Sequence, residues 1–131
     1  MRVPFSYLPE QFTNPDPILA ELKQVIVIGD YTLGKQVEEF ETRFADVTNC
    51  RHAIGVNSGT DALRLSLKAL GIGPGDEVIT AANTFIATVG AIADIGARTV
   101  FVDCTDDFCM DVSQVAAAIT RRTKAIIPVH M

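Results

Sequence analysis

Short apolar runs alternate with amphipathic stretches along most of this chain, and that alternation limits its possible folds more than any other feature. Residues 52–56, 77–80, 99–102 and 125–129 have the length and apolar content of strands. Residues 60–70, 84–95 and 111–119 between them space their apolar side chains as helices do. Strand and helix in regular succession predict an α/β fold with a mainly parallel sheet and right-handed crossovers. Two helices precede this pattern. Ile18, Leu19, Leu22, Val25 and Ile26 predict one over residues 16–28, and Val37, Phe40, Phe44 and Val47 form the stripe of a second that ends near Asn49. The first fourteen residues, with Pro4, Pro9 and Asn14, show no period and predict an extended arm.

At 131 residues there is material for one domain and no internal linker. Eleven basic against sixteen acidic residues, a net charge of -5, is the wrong sign for a partner held by phosphate backbones, so nucleic acid is not expected. The mean hydropathy of +0.26 is high for so small a domain and predicts that some apolar surface meets another chain. No apolar run has the roughly 18 to 20 residues of a membrane helix, and the start lacks the continuous apolar stretch of a signal peptide, so a cytoplasmic protein without a membrane partner is expected. Cys50, Cys104 and Cys109 have no CxxC spacing and read as buried reduced thiols. The acidic group Asp103, Asp106, Asp107 and Asp111 matches no calcium loop and reads as a solvated turn with Asp111 near a helix start, so no metal is expected.

The stretch with most chemical content is Gly55-Val56-Asn57-Ser58-Gly59-Thr60-Asp61, where an expected strand turns directly into a helix. Ser58 suits the cap, and free N–H groups at Gly59, Thr60 and Asp61 with the Thr60 hydroxyl would suit a phosphate. On local chemistry alone these residues favour an ordinary capped helix with Asp61 complementing the dipole, since Ser-Gly-Thr-Asp is ordinary helix-start material. Gly71-Ile72-Gly73-Pro74-Gly75-Asp76 follows a helix and precedes a strand, the reverse of a dinucleotide fingerprint, and reads as a helix stop with Gly71 left-handed. Asn83-Thr84-Phe85 falls after the second expected strand, on the same carboxyl edge as Ser58 to Thr60. Phe85 there could face a ring or serve as core. His130 ends the last expected strand at that edge and is a weak candidate.

Taken in order and spacing, the segment from Gly34-Lys35-Gln36 to Glu41, then VNSGTDAL, GIGPGDEVIT, ANTFIAT, GARTVFVD and TKAIIPVH, resembles the start of the DegT/StrS-type sugar aminotransferases. The likeness covers nearly everything from Gly34 on. It implies part of the large domain of a fold-type I aminotransferase over residues 35–131, with residues 1–34 as an arm and first helix. It also implies pyridoxal 5'-phosphate (PLP) as cofactor, a nucleotide-linked keto sugar as substrate, glutamate as amino donor and a homo-oligomer with its active site between subunits. Gly59 and Thr60 correspond to residues that bind the cofactor phosphate, and Phe85 to the one that stacks on the pyridine ring.

PLP chemistry also needs a Lys to hold the aldehyde and a carboxylate on the ring nitrogen. In the family both lie beyond residue 131, so no catalytic residue is expected within this chain. Of its four lysines, Lys23 and Lys35 belong to the first helices. Lys124 opens the last expected strand, about 15 Å or more from its carboxyl end. Lys68 lies roughly 12 Å along its helix from Thr60. The expectation is a chain that is not a competent aminotransferase alone, with a non-catalytic remnant that oligomerises or binds a phosphate ligand as the alternative. Strands that separate the first strand from the next three in the family are not expected here, which predicts either a rearranged sheet or an oligomer covering the gap.

Overall fold

The structure, a computed structural model, describes residues 6–130. Pro4 and the start of the expected arm lie outside the described residues, as does Met131. The chain divides into two compact units, one ending at Gly55 and one beginning at Val56.

The first unit is helical. A single turn, α1 (Leu8–Gln11), replaces part of the expected extended arm, because Pro9 in a first helical turn gives up an N–H that would have no partner there anyway. Helix α2 (Asp16–Ile28) has the predicted bounds and stops at Gly29, left-handed at φ 76°, whose N–H donates to the Val25 carbonyl. Helix α3 (Lys35–Val47) stops in the same manner at Asn49, also left-handed at φ 52°. The α2 stripe stays open, with Ile18, Leu19, Leu22 and Ile26 each more than half exposed. On α3 the Phe40 and Phe44 rings lie 5.7 Å apart, and both are exposed.

The second unit runs α4 (Gly59–Ala69), β1 (Glu77–Ala81), α5 (Ile86–Asp94), β2 (Arg98–Val102), α6 (Val112–Ala118) and β3 (Thr123–Ile127). The sheet is wholly parallel with strand order β2-β1-β3. The central strand β1 is buried along its whole length, which is why its sequence reads as continuous rather than alternating. Leu67 of α4, Val78 of β1, Ile92 of α5 and the loop residues Ile72 and Ile95 form the core, with Ala97, Ala125 and Ile127 packed on it. At the amino end of β1 the Glu77 carboxylate is buried. It accepts hydrogen bonds from Arg122 at 2.8 and 3.1 Å and from the Thr120 hydroxyl at 2.6 Å, with Arg98 at 3.6 Å.

Four expectations change. Residues 52–56 form no strand, because a strand requires a ladder partner and, among the described residues, they have none. The Gly55 N–H instead donates to the Glu41 carboxylate at 2.6 Å, and Ile54 is 82% exposed. The strand expected at 125–129 is β3, two residues earlier, since Pro128 has no N–H to give a ladder. Helix α5 is shorter than 84–95, as Phe85 is extended at ψ 143° and caps it. The cysteines are not buried: Cys50 is exposed, and Cys104 and Cys109 are half-buried in the turn between β2 and α6.

Candidate functional site

Helix α4 leads through Gly71 to Asp76 into the amino end of β1, and α5 leads through Ile95 to Ala97 into the amino end of β2. Both helices therefore run against the strands, and both begin at the carboxyl edge of the sheet. Their ends are fixed by the same device. The N–H of Gly71 (φ 73°) donates to Lys68 and that of Ile72 to Leu67. On α5 the N–H of Gly96 (φ 78°) donates to Ala93 and that of Ala97 to Ile92. Ile72 and Leu67, joined by one of these bonds, are also core neighbours. The expected helix stop at Gly71 is thus observed.

At the start of α4, Ser58 is extended and its Oγ accepts the Asp61 N–H at 3.1 Å, while its carbonyl accepts from Ala62 at 3.0 Å. Asp61 is in this way satisfied by the cap and is removed from the donors the sequence offered. Among the described residues, the N–H groups of Gly59 and Thr60 and the Thr60 hydroxyl have no acceptor. A Cβ on Gly59 would meet no atom within 4 Å, so no packing inside the chain demands a glycine there. What remains is an open turn with two free backbone donors, a free hydroxyl and the positive end of an eleven-residue helix.

Phe85 stands at the start of α5 with 75% of its surface exposed. A hydrophobic ring in that state is not core, so the core reading of its sequence position does not hold. Behind it the Thr84 hydroxyl donates to the buried Thr88 hydroxyl at 2.9 Å, fixing the entry to the helix. Arg64, one turn into α4, forms an ion pair with Asp61 and reaches Asp94 of α5 at 3.3 Å. Its Nε is buried without an acceptor.

The other residues of this edge have local tasks. Asp111 caps α6 by accepting the Ser113 N–H at 3.0 Å. Asp107 accepts the Cys109 N–H at 3.2 Å, and Asp103 the Cys104 N–H at 2.8 Å. Asp111 thus stands at a helix start as expected, and Asp103 and Asp107 accept backbone hydrogen bonds in the turn before it, which was expected to be solvated. His130 is exposed at the end of the described chain.

A parallel sheet with two helix starts on its carboxyl edge, one carrying free anion donors and the other a bare aromatic ring, defines an α/β protein whose candidate site is that edge. The chain belongs to the DegT/DnrJ/EryC1/StrS aminotransferase family, whose model matches residues 14–131. It is 47% identical to a dTDP-3-amino-3,4,6-trideoxy-alpha-D-glucose transaminase of Micromonospora megalomicea subsp. nigra, over 97% of this chain and 34% of that protein. It is 46% identical to a pleiotropic regulatory protein of Geobacillus stearothermophilus, over 100% of this chain and 36% of that protein. Among solved structures, NtdA of Bacillus subtilis with bound cofactor PMP superposes with a TM-score of 0.92 at 40% identity, over 99% of this chain and 31% of that one. The chain thus spans about a third of the length of the curated relatives it matches. The fold matches that of the solved relative, and the sheet is parallel in the order β2-β1-β3.

The donor set fits part of a PLP molecule. The free N–H groups and hydroxyl at Gly59 and Thr60 match a phosphate, and the exposed Phe85 ring matches a pyridine face. The amine is another matter. Within the second unit Lys68 lies in the last turn of α4 and Lys124 near the amino end of β3, both at the edge away from those donors. Among the described residues, no helix is long and apolar enough to cross a membrane.

Proposed function

We propose that this chain supplies the phosphate-binding and ring-stacking part of a PLP site in an aminotransferase acting on nucleotide-linked keto sugars, and that it does not turn over alone. The observation that carries this reading is the pairing of unsatisfied donors at Gly59 and Thr60 with the bare Phe85 ring on one sheet edge. Gly59 and Thr60 hold the phosphate, and Phe85 covers one face of the ring. PLP, when bound, supplies an electron sink through which an amino group passes from a donor such as glutamate to the keto carbon. The chain's own residues bind and orient, and the lysine that completes the chemistry is not among those at this edge.

Incubation with PLP, borohydride reduction and peptide mass mapping test the reading. We expect no stoichiometric adduct on any single lysine and no transamination by the 131-residue chain. An adduct confined to one lysine, with turnover, overturns it.

The open apolar stripes of α2 and α3 favour a second element of this reading, a homo-oligomer in which those faces are covered. They suit equally a non-catalytic, oligomerising member of the family, and the likeness to a protein named as a regulator is in keeping with that alternative. Phosphate-dependent ligand binding that Thr60→Val weakens separates the first function from the second.

A further inference from the structure

An anion that settles on the start of α4 meets a difficulty the free donors do not remove. Asp61 places a carboxylate in the first turn of the same helix, two residues past Gly59 and about 3 Å further along the axis. That charge stabilises the helix by complementing its dipole, and it repels a second anion at the same end. Arg64 answers it. Its guanidinium is ion-paired with Asp61 on one side and reaches Asp94 of α5 at 3.3 Å on the other.

The Asp61 arm is not a loose surface pair of the kind that contributes little, whereas the Asp94 arm ends on a carboxylate 54% exposed. The Arg64 side chain is 35% exposed, Asp61 only 18%, and the Arg64 Nε is buried with no acceptor. A guanidinium that merely decorated the helix would turn that N–H to water. Here the side chain is drawn between two helices and leaves one donor desolvated, a cost that the two carboxylates must offset. The same contact ties the helix that carries the phosphate donors to the helix that carries Phe85.

We infer that Arg64 is a positioning residue for the phosphate end of the site: by holding Asp61 in an ion pair anchored on Asp94, it cancels the local negative charge and leaves the Gly59 and Thr60 donors free for a dianion. The inference rests on the reading of Gly59 and Thr60 given above. It differs from a purely structural role in one respect, since a structural tie is lost with Arg64 and is not regained by removing Asp61. A charge mask, by contrast, becomes unnecessary once Asp61 is gone.

The test uses the whole chain and two probes, pyridoxamine 5'-phosphate and pyridoxamine, which share the ring and differ in the phosphate. Arg64→Leu is expected to weaken the phosphorylated probe about three- to tenfold at low salt, the range of a charge at a helix end, and to leave the other unchanged. Adding Asp61→Asn to Arg64→Leu restores the affinity, and Asp61→Asn alone binds the phosphorylated probe more tightly. Unchanged affinity in Arg64→Leu, or no recovery in the double variant, overturns the inference while leaving the phosphate site intact, provided Thr60→Val still weakens binding. Loss of any difference between the two probes in the native chain overturns the site and the inference together. Should Arg64→Leu fail to fold, Asp61→Asn alone decides: tighter binding supports the mask, and equal or weaker binding refutes it.

Discussion

Glu77 is the residue whose chemistry reaches furthest through the second unit. Its carboxyl is held below the usual carboxylate range, first by the Thr120 hydroxyl and then by the Arg122 guanidinium, against the opposing effect of burial. A carboxyl depressed in the folded state contributes stability that is present above its unfolded pKa, about 4.3, and is lost as the pH falls through the lower folded value. Urea melts between pH 7 and pH 3 should therefore show stability falling below about pH 4.3, with a shallower fall in Glu77→Gln and a lower midpoint for that variant at pH 7. Equal pH dependence in the two chains would refute the assignment. The sequence shows Glu77, Arg98 and Arg122 at or just before apolar runs, but not that they converge. Burial of a carboxylate depends on which strands become neighbours, and β3 lies beside β1 only through a crossover that no local pattern encodes. Gly59, Thr60 and Phe85 were legible as candidates because helix starts announce themselves and because the resemblance gave those positions roles. What no sequence window revealed is that Phe85 is bare, that Ser58 has already taken the Asp61 N–H, and that Arg64 lies between two carboxylates.

At the scale of the elements, the stops were read more securely than the starts. Gly71 and Gly96 both close a helix in the left-handed region, yet they differ in what a side chain would meet. A Cβ at Gly71 has open space, whereas one at Gly96 would lie 2.9 Å from the Pro74 Cγ. Gly71→Ala should cost about 1 kcal/mol from backbone strain alone, and Gly96→Ala more, as measured by chemical denaturation. Equal losses would mean that Pro74 yields freely. In the core, Ile92→Ala removes a fully buried α5 side chain from the central cluster and should cost about 2–5 kcal/mol. The second expected strand matches β1 because burial on both faces gives a plain apolar run. The expected strand at 52–56 failed for the opposite reason: its apolar run is real, but apolar content does not create a hydrogen-bonding neighbour. Periodicity reports which residues want burial, whereas pairing depends on what else the chain brings alongside.

For the molecule as a whole, the exposed face of α2 is the feature most at odds with an isolated existence. Leu22→Glu with Ile26→Glu should abolish self-association seen by light scattering, with helix content by circular dichroism unchanged. A native chain that is monomeric at all concentrations would refute the oligomer. The central position of β1 has a different consequence, one of time rather than composition. Glu77 to Thr80 pair with parallel neighbours on both sides, Ala81 pairs with β2, and none of the five has an exposed face. Each of those amide protons is held by one neighbour inside a buried sheet and meets water only when that ladder opens, so in deuterium oxide they should be the last to exchange. The Gly55 amide, held by a single carboxylate on an extended stretch, should trade its proton far earlier. Two sites in one small chain would then record, in minutes and in days, the difference between a bond made inside a ladder and a bond made alone.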